Sequence, residues 1–203
     1  MATRYYVRMR AIQNLLPLLR AASAPRVVSV LAGGEEGKLV EDDLDLRKPQ
    51  NYSIVNAATA SGTMGTLTLG KFATENPSIS FVHSFPGFVG TTTLAKGSTG
   101  LVRILLQWIV VPLVNLFAMS AEEAGARALF YATSERYAAV DGTGIPLPAG
   151  VQKASATEKG VYLTGPKSDD AGNKDLLADL EKRGVSNKVW AITEEVFEAA
   201  SSA

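Results

Sequence analysis

The segment that decides the fold runs from Asn51 to Leu94 and reads NYSIVNAATASGTMGTLTLGKFATENPSISFVHSFPGFVGTTTL. Apolar residues recur at three- and four-residue spacings between Ala57 and Glu75, which predicts a helix. Asn76-Pro77 then ends that helix, because the residue before a proline is disfavoured in the α region. The apolar run from Ile79 to His83 predicts a strand covered on both faces. A helix that leads into a buried strand ending at Pro86-Gly87 indicates an α/β crossover with a ligand-facing turn.

Helical and extended patterns alternate along the rest of the chain. Helices are predicted over residues 4–20, 120–134, 168–182 and 187–199, and further strands over Arg26–Leu31 and Val161–Leu163. Pro17 should kink or end the first helix near its last turn, and Gly184 should cap the helix that precedes it. This order predicts an α/β fold: an incomplete doubly wound, Rossmann-like parallel sheet of about three strands flanked by helices. Such sheets usually contain more strands.

Composition excludes several classes of function. The chain of 203 residues carries as many basic as acidic residues, so no net charge draws it to nucleic acid or to an anionic membrane. It has no cysteine and a single histidine, which excludes disulfides and multi-histidine metal sites, and no metal site is predicted. The amino-terminal residues lack the apolar core of a signal peptide, and we expect a cytoplasmic protein.

One apolar segment, from Ile104 to Met119, requires a membrane test. It is interrupted by Gln107, Pro112 and Asn115, and it is shorter than the ~20 residues that a spanning helix needs. We therefore expect a buried helix or a lid over a binding site, without membrane contact. A helix that rests on a membrane surface is the alternative.

Several motifs are weak candidates for a site. The segment from Gly33 to Lys38 follows a strand but is one residue too short for a phosphate-binding loop, and Glu35 and Glu36 would repel phosphate. The acidic loop from Glu35 to Gln50 is interpreted as a solvated surface. His83 lies on a buried strand, where a hydrogen-bonded core histidine is expected rather than a general base.

Three parts of the chain together resemble the short-chain dehydrogenase/reductase family. They are the run Arg26–Gly34, the helix from Asn51 to Glu75, and the turn Phe85-Pro86-Gly87-Phe88-Val89-Gly90-Thr91. The helix that ends in Asn14-Leu15-Leu16-Pro17-Leu18-Leu19 is similar to the fourth helix of that family. The resemblance covers essentially the whole chain and is to a divergent group common in filamentous fungi. It implies the carboxyl-terminal half of one truncated Rossmann-like domain, residues 1–203, with apolar lid helices at 101–134 and a final strand and helices at 161–203.

The resemblance implies NAD or NADP as the cofactor, with the turn after the buried strand shaping the nicotinamide pocket. Pro86 and Gly87 would let the backbone approach the ring. Val89 would offer its backbone amide to the carboxamide, and Thr91 would offer its hydroxyl. Ligands of open α/β sheets bind beyond the carboxyl ends of the strands, which agrees with the position of this turn.

The catalytic residues of that family are not matched here. The family uses a serine, a tyrosine and a lysine, and the corresponding positions fall on Ala32, Ala58 and Gly62. Tyr52 with Asn56 imitates the tyrosine–lysine spacing but lies six residues too early, so we expect Tyr52 to be a surface or helix-start residue. A phenol without a neighbouring ammonium keeps a pKa of ~10 and is a poor acid at neutral pH. No catalytic residue is assigned.

The amino-terminal half of that family's fold also has no counterpart in the sequence. Its first four strands and its Thr-Gly-x-x-x-Gly-x-Gly phosphate loop are missing, so the resemblance implies a truncated product or gene model, or a family member reduced to a non-catalytic half. The strand from Arg26 to Leu31 would then expose an unpaired edge.

Two classes of function follow, and whether the chain is an enzyme stays open between them. The first is an NAD(P)-dependent oxidoreductase by descent, which acts on a lipophilic small carbonyl or alcohol, with fungal secondary metabolism as its setting. The second is a catalytically inactive pseudoenzyme or interaction module. In the family the helices equivalent to residues 4–20 and 55–75 form the dimer interface, so the chain could form a homo- or hetero-oligomer through them.

Overall fold

A computed structural model describes residues 1–90, 100, 108, 118–140 and 142–202. These residues contain a three-stranded parallel sheet with the strand order β1-β2-β3, formed by β1 (Arg26–Val30), β2 (Ser80–Ser84) and β3 (Val161–Thr164). In its register Val28 lies opposite Val82, and Val82 lies opposite Tyr162. The central strand β2 is buried along its whole length, as its apolar run predicts.

The helices found in the described ranges are α1 (Val7–Ala21), α2 (Ile54–Glu75), α3 (Ala121–Thr133), α4 (Lys174–Lys182) and α5 (Val185–Ser201). A π-helical segment, Ala2–Tyr6, leads into α1, and short 3-10 helices occupy Pro49–Asn51 and Glu135–Tyr137. The predicted α/β class, an open parallel sheet flanked by helices, is confirmed. Within the described residues, no helix combines the length and apolarity that crossing a membrane would require.

Helix α2 ends where the sequence indicates, but it begins at Ile54, three residues before the predicted start at Ala57. Ser53 is its N-cap, and the side chain of Ser53 accepts a hydrogen bond from the backbone N–H of Asn56. At the other end, Asn76 leaves the helical conformation immediately before Pro77. Every residue from 60 to 70 is buried, so this part of α2 is covered on all sides rather than on one face.

The side chains of the sheet pack into a different core on each face. On one face Phe81 and Leu163 join the apolar side chains of α1, α2, α4 and α5. On the other face Val82 packs against Tyr131 of α3 and Tyr137 of the following 3-10 helix. Successive strand residues point to opposite faces, so helices cover the sheet on both sides. This is the two-sided arrangement that a doubly wound sheet requires.

Three predicted details differ from the structure. Helix α4 begins at Lys174 rather than at Ser168, because the preceding residues form a turn in which the N–H of Gly165 donates to the carbonyl of Asp169. Strand β1, whose apolar run predicts a buried strand, is only half-buried because it lies at the edge of the three-stranded sheet. Helix α1 continues through Pro17 to Ala21, so the proline, which lacks one backbone donor, does not end it at once.

Two predicted helix boundaries are confirmed, and one predicted element lies outside the described residues. Ser120 caps α3 by accepting a hydrogen bond from the N–H of Glu123 at 3.0 Å. Gly184 has φ +70°, the left-handed conformation expected of a residue that ends α4. Almost all of the apolar segment 101–119, the predicted lid, falls outside the ranges that the structure describes.

Tyr5 ties the beginning of the chain to two other helices. Its side chain is completely buried, and its hydroxyl lies 2.6 Å from Oγ1 of Thr68 and 2.7 Å from Oγ1 of Thr193. Thr193 donates its own proton to the carbonyl of Val189, so it accepts from Tyr5, and Tyr5 accepts from Thr68. Burial raises the pKa of Tyr5 to about 12, which keeps the phenol protonated in the folded protein.

We expect Tyr5→Phe to lower the free energy of unfolding by about 1–3 kcal/mol, because two buried threonine hydroxyls lose a partner. Urea denaturation at pH 7 measures the change. Tyr52→Phe is the matched control, since Tyr52 is 62% exposed and its substitution should change the free energy of unfolding by less than about 0.5 kcal/mol. Equal effects of the two substitutions would contradict the role given to the Tyr5 hydroxyl.

Candidate functional site

The turns that follow the three strands meet at one end of the sheet, where open α/β sheets bind their ligands. The backbone of Gly33, after β1, is so close to β2 that an added Cβ would lie 2.0 Å from the carbonyl oxygen of His83. A Cβ at Gly87, after β2, would lie 3.1 Å from Cβ of Pro166, after β3. These two contacts place the three turns side by side and define the candidate site.

The turn after β2 has the shape that its Pro-Gly sequence predicts. The N–H of Phe85 donates to the carbonyl of Thr164, so β2 and β3 remain paired up to the start of the turn. Pro86 follows, and Gly87 has φ +73°, a left-handed conformation that glycine adopts without steric cost. Pro86 and Gly87 are both half-buried, so their backbone remains accessible from one side.

Val89 lies in a bridge that does not use its own amide. It pairs in parallel with Met119, whose N–H donates to the carbonyl of Phe88 and whose carbonyl accepts from the N–H of Gly90. In a parallel bridge the flanking residues make the bonds, so the N–H of Val89 points away from Met119. Its predicted role in binding the carboxamide of a nicotinamide stays a prediction. Thr91, the fourth predicted residue, lies outside the described residues.

The glycine-rich segment from Gly33 to Lys38 is closed to a phosphate group. The N–H of Gly34 donates to Oε1 of Glu36 at 3.0 Å, and the N–H of Gly37 donates to Oγ1 of Thr63 at 2.9 Å. A Cβ at Gly34 would lie 2.5 Å from Cβ of Ala171, which fills the space beside the loop. A phosphate loop needs unbonded amides that converge on one point, and these amides are already bonded.

His83 is the centre of a buried hydrogen-bond chain. Its Nε2 lies 3.5 Å from the backbone N–H of Ala32, and its Nδ1 lies 2.8 Å from Oγ1 of Thr66. Thr66 donates its proton to Oε1 of Glu36 at 2.6 Å, so it accepts from Nδ1–H of the imidazole. The histidine is therefore neutral with its proton on Nδ1. The prediction of a hydrogen-bonded core histidine is confirmed.

Burial lowers the pKa of His83 to about 3, and the positive charge of Arg8 adds a smaller contribution in the same direction. An imidazole that stays neutral down to this pH and is completely enclosed is unsuited to general-base chemistry. Its effect is structural, because it fixes the turn after β1 to the middle of the sheet. Glu36, in the loop after β1, joins the same hydrogen-bond network through Thr66.

Glu36 is the one member of the His83 hydrogen-bond network that the sequence analysis did not identify. It is 8% exposed, whereas the acidic loop that contains it was expected to be a solvated surface, so that expectation is wrong at this position. Its Oε1 accepts two hydrogen bonds, and its Oε2 is buried with no partner among the described residues. Only the fold brings this carboxylate beside a threonine of α2, thirty residues later, so no local pattern could have indicated it.

The three positions that correspond to the family's catalytic residues lie close together but carry no chemistry. A Cβ at Gly62 would lie 2.9 Å from Cβ of Ala32, so the helix and the end of β1 are in direct contact there. Ala58 lies one turn before Gly62 on α2 and is half-buried. Tyr52 is 62% exposed and precedes the helix. The structure therefore leaves no space beside Ala32 for the long side chain of a lysine at position 62.

Ser168 holds the turn after β3 in an uncommon conformation. Its backbone has φ +60°, which residues other than glycine rarely adopt. Its hydroxyl lies 2.8 Å from the hydroxyl of Tyr131. Tyr137 donates to the carbonyl of the same residue at 3.2 Å. Tyr131 and Tyr137, which pack in the core around Val82, therefore hold the turn that contacts Gly87. The sequence places these residues far apart and gives no signal for this contact.

A cleft lies on the side of the molecule, away from the three turns. It has a volume of about 430 Å³ and lies between α2, α4 and residues 156–159. Leu67, Gly70 and Leu177 form its apolar part, with Lys159 and Lys174 among its polar residues. None of the residues from 85 to 90 contributes to it. The strand ends, rather than this cleft, therefore remain the candidate site.

Comparison with known proteins relates the chain to fungal oxidoreductases. It is 45% identical over 209 residues to an NmrA-like family domain-containing oxidoreductase of an Aspergillus species, covering 100% of this chain and 58% of the relative. It is 38% identical over 205 residues to an oxidoreductase of Emericella nidulans, covering 98% and 61%. It is 27% identical over 202 residues to a short-chain dehydrogenase/reductase of Stachybotrys chartarum, covering 93% and 55%.

The names of these relatives agree only on the broad class of oxidoreductases. The chain is similar to fungal oxidoreductases that carry NmrA-like and short-chain dehydrogenase/reductase names. The chain spans about three fifths of the length of the first curated relatives it matches. No family model matches the sequence, and no solved structure matches it.

We expect Gly33→Ala to lower the free energy of unfolding by more than about 3 kcal/mol, because its Cβ would overlap the backbone carbonyl of His83 at 2.0 Å. Gly125→Ala is the matched control. Gly125 is exposed in the middle of α3 with no atom within 4 Å of an added Cβ, so alanine there should raise stability by about 0.5–1 kcal/mol. Thermal unfolding of both variants checks the pair, and a tolerated alanine at position 33 would refute the close approach.

We also expect the folded protein to lose stability on acidification below pH ~6.5, the pKa of an unperturbed histidine. The folded state, with the pKa of His83 at about 3, binds fewer protons than the unfolded state across this range. Unfolding is therefore favoured as pH falls, by up to about 1.4 kcal/mol per pH unit for one group.

Urea denaturation at pH 7.0, 6.0 and 5.0 measures this slope, and His83→Gln serves as the comparison because glutamine cannot take up the proton. Between pH 7.0 and 5.0 the free energy of unfolding should fall more steeply in the unmodified chain than in the variant. Because the chain has a single histidine, its imidazole C–H resonance can also be followed by NMR. A resonance that titrates near pH 6.5 in the folded protein would contradict the buried neutral imidazole.

Proposed function

We propose that the chain supplies the nicotinamide end of an NAD(P) site in a fungal oxidoreductase of the short-chain dehydrogenase/reductase type. The substrate would be a lipophilic small carbonyl or alcohol, with fungal secondary metabolism as its setting. When bound, NAD(P) would supply the hydride chemistry. The observation that carries the proposal is the turn from Pro86 to Val89 at the carboxyl ends of parallel strands, in a chain homologous to oxidoreductases along its whole length.

Two features of the turn support a nicotinamide ring there. Gly87 has φ +73° and no side chain, so the backbone can approach a flat ring. The N–H of Val89 is not used by the bridge to Met119 and can donate to a carboxamide oxygen. The proposed contact of the Thr91 hydroxyl rests on the resemblance alone. Together these residues would bind and orient the ring rather than take part in proton transfer.

We further propose that the chain corresponds to the later part of its relatives. The glycine-rich loop that would hold the pyrophosphate has no counterpart in the sequence, and the Gly33–Lys38 segment has its amides bonded within the protein. Sequencing of the transcript upstream of the Met1 codon tests this proposal. An in-frame Thr-Gly-x-x-x-Gly-x-Gly segment is expected there. An in-frame stop codon directly upstream of Met1 in all transcripts would reject the proposal.

A second candidate function is a non-catalytic binding or interaction module. The close packing of Gly62 on Ala32 supports it, because the positions of the family's serine and lysine are closed to reacting groups. An oligomer through residues 4–20 and 55–75 would have to use the exposed parts of those helices. Residues 60–70 of α2 are buried within the chain, which leaves exposed side chains such as Leu18 of α1 and Val55 of α2.

Calorimetric titration of the 203-residue chain with three probes tests the cofactor proposal. Reduced nicotinamide mononucleotide and NADPH should bind with similar dissociation constants, on the order of 1 mM, because only the ring end has partners here. Adenosine 2′,5′-bisphosphate, which lacks the nicotinamide, should give no heat. Binding of the bisphosphate alone, or of none of the three probes, would reject the proposed site for this chain.

Substitution at Val89 separates its amide from its side chain. Val89→Pro removes the backbone N–H, so the affinity for reduced nicotinamide mononucleotide should fall at least about fivefold, the loss of one hydrogen bond of about 1 kcal/mol. Val89→Ala keeps that N–H and should change the affinity by less than about twofold. The same calorimetric titration measures both variants, and an equal loss in the two would assign the effect to the side chain instead.

A further inference from the structure

The turn after β3 is closed at both ends and contains one residue in a left-handed conformation. The N–H of Ser168 donates to the carbonyl of Gly165 at 3.0 Å, and the N–H of Gly165 donates to the carbonyl of Asp169 at 3.0 Å. Short closed loops often place one residue at positive φ, and glycine suits that position because it has no Cβ. Here the position is occupied by Ser168, with φ +60°. A serine keeps this conformation only where other contacts stabilise it.

The hydroxyl of Ser168 makes such a contact. It lies 2.8 Å from the hydroxyl of Tyr131, a contact that a glycine could not make. Tyr131 is buried, and its ring packs against Val82 and edge-on against Tyr137, so its hydroxyl has a fixed position. A residue that departs from the local preference and is held by one specific side chain indicates a functional constraint.

This turn bears directly on the backbone that is proposed to bind the nicotinamide ring. Pro166 belongs to the closed turn, and a Cβ added at Gly87 would lie 3.1 Å from Cβ and 3.2 Å from Cγ of that proline. The proline ring therefore packs against the backbone of Gly87. Since packed atoms leave little free space, a shift of the turn after β3 either displaces Gly87 or opens a gap beside it.

Helix α3 contacts the same stretch of backbone from its other end. Its N-cap is Ser120, and the preceding Met119 donates its N–H to the carbonyl of Phe88 at 2.8 Å and accepts from the N–H of Gly90 at 2.9 Å. Tyr131 lies about 17 Å further along the helix axis, at 1.5 Å per residue. One helix therefore holds the turn after β2 at two points, directly through Met119 and indirectly through the turn after β3.

We propose that Tyr131 is a positioning residue for the nicotinamide ring, an inference that rests on the proposed function. Its hydroxyl keeps Ser168 in the left-handed conformation. The closed turn then holds Pro166 against Gly87, which fixes the direction of the Val89 N–H. Tyr131 touches no ligand and takes no part in proton transfer. It acts as a support for the residues that contact the ring.

Calorimetric titration with reduced nicotinamide mononucleotide measures the effect on the ligand. Tyr131→Phe removes only the hydroxyl and should weaken binding at least about fivefold, the effect of one misplaced hydrogen bond. Tyr162→Phe is the matched control, because the hydroxyl of Tyr162 belongs to the same core but donates to the carbonyl of Ala138 at 2.7 Å instead of the turn. It should change the affinity by less than about twofold. Equal losses in the two variants would overturn the proposal.

Substitution at position 168 separates positioning from the stability of the core. Ser168→Gly adopts positive φ without help from the tyrosine, so its affinity should stay within about twofold of the unmodified chain. Ser168→Ala loses the contact but keeps the strain, so it should weaken binding as much as Tyr131→Phe does. In the Ser168→Gly background, Tyr131→Phe should then change the affinity by less than about twofold. A full loss of affinity in this double variant would overturn the proposal.

Amide hydrogen exchange without ligand separates a failure of this proposal from a failure of the proposed function. The amides of Phe85 and Gly90, which are bonded at the two ends of the turn after β2, should exchange at least about fivefold faster in Tyr131→Phe and unchanged in Tyr162→Phe. That pattern supports the positioning role even where no variant binds the mononucleotide, a result that would reject only the proposed function. Unchanged exchange at both amides in Tyr131→Phe would overturn the positioning role.

Discussion

The burial of residues 60–70 of α2 on all sides is the constraint on which the rest of the structure depends. A helix covered in this way must let other segments approach its backbone, and its glycines permit this. Gly62 contacts Ala32, Gly65 lies beside the ring of His83, and Gly70 lies beside the stem of Lys159. Each glycine costs about 1 kcal/mol of helix propensity relative to alanine, so packing must offset roughly 3 kcal/mol in this helix. The small side chains are therefore a requirement of the packing, not a sign of a weak helix.

The same burial determines where polar groups can go. Thr66 and Thr68 lie inside the protein, and each completes a hydrogen-bond chain, one to His83 and Glu36 and the other to Tyr5. An unpaired hydroxyl in this environment would cost about 1–3 kcal/mol, so these chains fix the relative positions of the elements they join. The first holds the loop after β1 to the sheet, and the second holds the start of the chain to α2. Order at the candidate site thus follows from the packing of one helix.

Close packing also bears on function. The turn after β2 keeps an accessible backbone, with Gly87 in a left-handed conformation and the Val89 amide outside the local bridge. Elsewhere at this end of the sheet the packing is tight, since a Cβ added at Gly62 would lie 2.9 Å from Cβ of Ala32.

The sequence by itself determined the α/β class, the end of α2 at Asn76, the burial of β2 and the core position of His83, since each rests on local periodicity or on a proline that acts on its neighbour. It also indicated the Pro86 turn, because Pro-Gly after a buried strand restricts the backbone directly. Only the tertiary structure decided that Glu36 is buried and that Ser168 is held by Tyr131. These features depend on contacts between residues far apart in the chain, and a partner thirty or more positions away leaves no trace in local spacing.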